Sequence, residues 1–167
     1  MNSEQPPRER GATTFDIEDF AAHLAPGRRL IGIDAGTKTL GLALSDVTRT
    51  VASALETIKR TKFTADATRL LAIADEHQIA GFVLGFPANL DGSEGPRAQS
   101  TRALARNLNG LSALPILLWD ERLTTAEAQR MLIEADTSRA RRAQVIDKLA
   151  ATLILQGALD RMRVQIV

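Results

Sequence analysis

The sequence predicts an α/β fold: a mixed five-stranded sheet, three antiparallel strands then two parallel ones, flanked by helices. Three observations carry this. Short apolar runs bounded by turn residues recur from Arg29 onward. The first three follow one another too closely for a crossover helix, which implies a meander. The later runs are separated by stretches of helical spacing, which implies parallel pairing through crossovers.

Leu30–Asp34 is an apolar run ending in Ala35-Gly36-Thr37, hence a strand and a turn. Leu40–Ser45 and Val51–Ile58 make the second and third strands. Residues 63–78 form a helix, with Ala67, Leu70, Leu71, Ile73 and Ala74 at helical spacing. Ile79–Phe86 is a β-rich run stopped by Pro87. A turn-rich loop follows, with Asn89, Asp91, Gly92 and Gly95. Pro96 sits where a helix begins, and Ala98–Leu108 continues it. Ile116–Trp119 is the fifth strand. Thr124 and Glu127 match a capping box, with Leu123 and Ala128 as its staple, so a helix is expected over 125–134. The last helix is expected from Ala143 to Met162.

Residues 1–28 read as an N-terminal extension, largely disordered or a short helix. In it Phe15, Phe20 and Leu24 are the available anchors, before Pro26 and Gly27 break the chain. Residues 29–167 form the folded domain.

Composition narrows the chemistry. Cysteine is absent, which excludes thiolate zinc sites and cysteine nucleophiles, and His23 and His77 are the only histidines. No apolar run approaches the ~20 residues of a membrane span, so no membrane partner is expected. The net charge of +1 hides an asymmetry. Five of the acids and three of the bases lie in residues 1–28, leaving 18 basic against 15 acidic residues beyond them. That bias is a weak pointer to a polyanionic partner.

Acidic residues stand where carboxylates are costly. Asp147 shares a face of the last helix with Ala150, Ala151, Ile154 and Ala158 at about 100° per residue. A bare carboxylate on a packing face is expensive unless paired or bound to metal; the competing reading is an acid favoured near a helix N-terminus. Asp34 ends a strand, where ligands of α/β sheets collect; the competing reading is a turn aspartate. Asp120-Glu121 ends the fifth strand in the same way. If Asp34, Glu121 and Asp147 converge, they form an all-oxygen site suited to Mg²⁺ or Mn²⁺. Such a site activates water against a phosphodiester.

At these residues the chain resembles a known family. IGIDAGTKTLGLALSD (31–46), VLGFPANLDGSEG (83–95), WDERLTTAEA (119–128) and VIDKLAATLILQGALD (145–160) are similar to the YqgF family. Its members are bacterial ribonuclease H-like proteins described as pre-16S rRNA nucleases and Holliday-junction-resolvase-like proteins. Four linked motifs, in order over about residues 29–162, make the resemblance specific. It implies a ribonuclease H-like fold and cytoplasmic trimming of the 5′ end of precursor 16S rRNA, with ribosomal precursor particles as partners. It also implies catalytic, metal-holding roles for Asp34, Glu121 and Asp147. The chain departs from the related resolvases in one respect: their second acid lies on the fourth strand, which here reads GFVLGFP without a carboxylate. Glu121 must substitute, and Asp120 could share its task. Phe86 stands where leucine is expected.

Candidate nucleic-acid contacts are Lys38 in the first hairpin, Asn89 in the loop before a helix, Arg122 beside the acidic pair, and Arg139, Arg141, Arg142 and Lys148 at the start of the last helix. The helix dipole disfavours basic residues there, so a phosphate-tracking surface accounts for them better than a solvated face. Arg102 and Arg106 could extend that surface. Trp119 is expected in the core. Three other functions compete: Holliday-junction resolution on branched DNA, which needs a homodimer rather than a monomer; an actin-like ATPase, for which a second lobe has no room; and a non-catalytic RNA-binding assembly module.

Overall fold

The structure is a computed structural model that describes residues 13–123 and the backbone of 139–165, with side chains of the latter stretch described from 149 to 164. The expected helix over 125–134 and its capping box lie outside the described residues.

A six-stranded sheet forms the middle layer. Its strands are β1 (Thr13–Thr14), β2 (Arg29–Ala35), β3 (Thr39–Ser45), β4 (Ala52–Lys59), β5 (Ile79–Phe86) and β6 (Ile116–Asp120), in the order β1-β6-β5-β2-β3-β4. Strand β3 runs antiparallel to β2 and β4, and the pairs β2–β5, β5–β6 and β1–β6 are parallel. The meander followed by parallel strands matches the sequence expectation, with one correction: the sheet has six strands, not five. The added strand is Thr13–Thr14, which pairs with Ile116 and Leu117 at the otherwise open edge of β6. Two polar residues carry no strand pattern of their own; the edge selects them.

Helices α2 (Phe63–Glu76) and α3 (Pro96–Leu111) cover one face as the crossovers into β5 and β6. On that face Ala67, Leu70, Ile73, Leu104 and Leu108 pack against Ile31, Ile33, Phe82, Leu84, Ile116 and Leu118. The long helix α4 (Arg139–Gln165) and the short α1 (Ile17–Ala22) cover the other face. There Ala151, Ile154, Leu155, Ala158 and Leu159 meet Leu30, Ala43, Val83, Leu117 and Trp119. Residues on each strand alternate between the two cores, as the strand period of two demands.

The extension is part of this packing. Asp16 caps α1 by accepting from the Glu18 amide at 3.0 Å, and Phe20 is fully buried in the α4-side core. Arg49 donates its Nε to the Arg28 carbonyl at 2.8 Å and a terminal nitrogen to the Ala25 carbonyl, fastening the link between extension and β2. Among the described residues no helix is long and apolar enough to cross a membrane.

Helix α4 comes close to the sheet at Gly32. A Cβ there would sit 2.7 Å from the Leu155 Cβ and 2.9 Å from the Ala151 carbonyl oxygen. Neither atom is the flexible end of a side chain, so any side chain at this position must lift α4 from the sheet. Gly32→Ala is expected to destabilise the protein by about 1–3 kcal/mol, the usual range for overpacking. Urea unfolding measures this, and an unchanged midpoint would show that α4 does not bear on β2 at this point.

Candidate active site

The parallel strands β2, β5 and β6 place their carboxyl ends at one end of the sheet, where ligands of open α/β sheets bind. Asp34, Phe86 and Asp120 occupy those ends. Strand alternation decides which side chains share a face. Leu30 and Gly32 lie under α4, so Asp34, two residues on, lies on the α4 side. On β6, Leu117 and Trp119 lie under α4, and Glu121 follows in the same phase in a single turn of 3₁₀ helix (Glu121–Leu123). Asp120 has the opposite phase.

The gap between Asp34 and Glu121 is bridged over β5. Ile33 is in register with Leu84, and Gly85 with Trp119, so Gly85 lies in the row between the two outer strands. A Cβ on Gly85 would be 2.8 Å from Glu121 Oε1 and 2.5 Å from Ile154 Cδ1. The Glu121 carboxylate therefore folds back over a position kept free of any side chain. Strand β5 supplies no acid, yet a carboxylate lies above it, delivered from the turn that follows β6.

The electrostatics match this placement. Burial, then the neighbouring Asp34 charge, pushes the Glu121 carboxyl above its ordinary range, with a smaller push from Asp120; Arg97 opposes them. Asp120 behaves oppositely. Hydrogen bonds from Arg122 hold its carboxyl below the usual range. Arg122 Nε donates to both Asp120 oxygens at 3.0 Å, and a terminal nitrogen lies 2.6 Å from Oδ2. Asp120 is committed to that ion pair, while Glu121 faces Asp34.

The remaining sequence-predicted residues fall into three groups. Lys38 is exposed in the β2–β3 turn. That turn is closed by the Gly36 amide on the Thr39 carbonyl at 2.9 Å and by Arg60, which donates to the Gly36 carbonyl at 2.7 Å. Asn89 is exposed in the β5–α3 loop. It braces that loop from within: its amide donates to the Ser93 carbonyl at 2.9 Å, its carbonyl accepts from Gly92, and its side chain donates to Ser93 Oγ at 3.0 Å. Leu90, 94% exposed, forms the tip. Arg139, Arg141, Arg142, Asp147 and Lys148 stand on the backbone of the first turns of α4, and their side chains lie outside the described residues. Among the described residues no three acids or histidines gather as a metal cluster, so the two-acid pair is what the described residues contribute.

Two contributors were not singled out from the sequence. Gly85 reads as an ordinary strand glycine until its neighbours are known. Arg97, at the second position of α3, opposes the raised carboxyl of Glu121. Its signal was present: a basic residue in the first turn of a helix, where the dipole disfavours it. Arg102, by contrast, is not a free surface cation. Its guanidinium bonds both Glu94 oxygens and lies over two phenylalanine rings.

A sheet of this order, with acids gathered at the carboxyl ends of its parallel strands, defines a ribonuclease H-like protein. A family model described as RuvX, Holliday junction resolvase, matches residues 28–161, and the chain belongs to that family, the YqgF family of the sequence resemblance. A protein of Beijerinckia indica named "Putative pre-16S rRNA nuclease" is 63% identical over 139 residues, covering 83% of this chain and 84% of its own. One of the same name from Ruegeria pomeroyi is 59% identical over 147 residues, covering 88% and 96%. Among solved structures, the large terminase nuclease from thermophilic phage G20c shares the fold at 13% identity, with a TM-score of 0.50 over 77% of this chain and 80% of that one.

The acid pair has a measurable consequence. A carboxyl whose folded pKa is raised costs stability once ionised, and the cost disappears below its unfolded pKa. Glu121→Gln is therefore expected to raise Tm by about 1–3 °C at pH 8, and the gain should vanish as pH falls below about 4.5. Thermal unfolding across that range tests it. A variant less stable than wild type at pH 8 would mean that Glu121 is paired rather than strained.

Proposed function

We propose that this chain is a divalent-metal-dependent nuclease that hydrolyses phosphodiester bonds in 5′-end maturation of precursor 16S rRNA, acting in the cytoplasm. The observation that carries the reading is the Glu121 carboxylate drawn over Gly85 to face Asp34. A partly buried Glu121 carboxylate beside a second acid is costly to ionise, and a bound cation would lower that cost. The names of the relatives support the substrate.

The donor set fits Mg²⁺ or Mn²⁺. Both ligands are hard carboxylate oxygens, and the chain contains no cysteine. Asp34 and Glu121 would hold the ion, with Asp147 as third ligand: it lies seven residues, two helical turns, before Ile154, the residue beside Gly85. When bound, the metal would activate water and stabilise the leaving oxygen. The chain's own groups do the rest. Arg97 and the amides at the start of α3, whose N-cap Gly95 supplies no side-chain acceptor, lie where a phosphate would need them. Asn89 holds the loop that presents those amides. Lys38 and the Arg139, Arg141, Arg142 and Lys148 group extend the contact along the backbone of the nucleic acid. Arg122 positions Asp120 and closes the other side of the loop.

Resolution of branched DNA is the second reading, favoured by the family's description as Holliday junction resolvase. It uses the same acids but needs a homodimer, whereas rRNA trimming is open to a monomer. Cleavage of a precursor 16S fragment beside a four-way DNA junction, with Mg²⁺ or Mn²⁺, separates the two. Groups one step beyond a metal ligand cost about 10–100-fold when removed, so Asp34→Asn is expected to lose more than ~100-fold of the RNA cleavage. Equal activity in wild type and Asp34→Asn would remove the catalytic assignment. Mg²⁺ should also raise the Tm of wild type and leave that of Glu121→Gln unmoved.

A further inference from the structure

The extension reaches the candidate site through one side chain. Phe15 lies outside the stretch matched by the family model, 28–161, and is 49% exposed, so the core does not require it. Its ring meets the buried Phe86 edge to face, with centroids 5.1 Å apart and planes at 88°. The Arg102 guanidinium lies 5.2 Å from the centre of one ring and 5.0 Å from the other. Arg102 also grips Glu94, with Nε 3.0 Å from each carboxylate oxygen.

These four side chains sit at the two ends of one loop. Phe86 is the last residue of β5, next to the Gly85 over which the Glu121 carboxylate lies. Glu94 is the last loop residue before the Gly95 cap of α3, and Arg97 follows in the first turn. Phe15 thus touches the start of the loop directly and its end through Arg102. It is held in place by the pairing of β1 with β6, by the Thr13–Asn109 hydrogen bond and by Phe20 in the core. The phenylalanine at position 86, where leucine is expected from the family resemblance, gives the Phe15 ring its edge-to-face partner.

We propose that Phe15 is a positioning residue: with Phe86, Arg102 and Glu94 it forms a clasp that fixes the 87–95 loop and the start of α3 beside Glu121. The catalytic half of this inference rests on the nuclease reading above; the clasp itself does not. Its parts are an aromatic pair and a cation over two rings, whose joint loss corresponds to about a tenfold change in a local equilibrium.

The test uses the full chain. In Phe15→Ala, hydrogen exchange of the Asn89, Gly92, Ser93 and Gln99 amides, all bonded within the loop or the first turn of α3, is expected to quicken about tenfold. Exchange in β2 and β5 should stay as in wild type. Phe15→Trp should restore slow exchange, whereas Phe15→Leu, which keeps bulk but not the ring, should not. With a precursor 16S fragment, Phe15→Ala should raise KM by about tenfold and leave kcat within about twofold, as expected for misplaced binding groups. Unchanged loop exchange in Phe15→Ala, or full rescue by Phe15→Leu, would overturn the clasp. Faster exchange spread evenly over the sheet would do so too, by showing a merely stabilising contact. If wild type cleaves nothing, the nuclease reading fails, and the clasp is still decided by the exchange data.

Discussion

Helix α4 can lie against the sheet only because β2 offers it no side chain at Gly32. The Leu155 Cβ and the Ala151 carbonyl occupy the space that any larger residue would need. The rest of the architecture follows from that contact. It fixes which face of each strand belongs to α4, and so which residues on β5 and β6 meet it. It sets the height of Ile154 above Gly85, and it leaves beside Ile154 the narrow space into which the Glu121 carboxylate folds. Helix-on-sheet contact at van der Waals distance gives the Asp34 and Glu121 side chains a rigid ceiling.

Electrostatics divide the two neighbouring acids at the end of β6 and the start of the turn after it. Asp120 is ion-paired with Arg122 and held in its charged form. Glu121, one residue on, is partly buried near Asp34, and both raise its carboxyl above the ordinary range while Arg97 opposes them. Adjacent residues thus meet opposite surroundings: one is ion-paired with Arg122, and the other lies half-buried under α4.

Much of this is legible in the sequence because it is local. Strand ends are marked by Gly36 and Pro87, helix faces by the spacing of Ala67, Leu70 and Ile73, and the candidate acids by their place at strand termini. The different surroundings of Asp120 and Glu121 are only half legible. Alternation sets Trp119 and Asp120 on opposite faces, but only the seat of α4 says which face each one meets. Other features depend on contacts distant in sequence. Thr13–Thr14 has no strand pattern, and its pairing depends on an edge formed a hundred residues later. The basic reading of Arg102 overlooked its neighbours, because Phe15 and Phe86 are far from it along the chain. Arg122 resembles a free cation in the sequence, and the turn after β6 folds it back on Asp120.

The shortness of β1 has a further consequence. A long bare strand at the margin of a sheet is a template on which another chain can polymerise. Here the β6 margin is covered by two threonines, after which the chain turns away into the capped α1. The opposite margin is also occupied at its start, where Gln156 of α4 accepts from the Ala52 amide and donates to the Thr50 carbonyl. The residues that bring Phe15 to Phe86 thus also cover part of a strand margin, so one short stretch of chain serves two unrelated contacts.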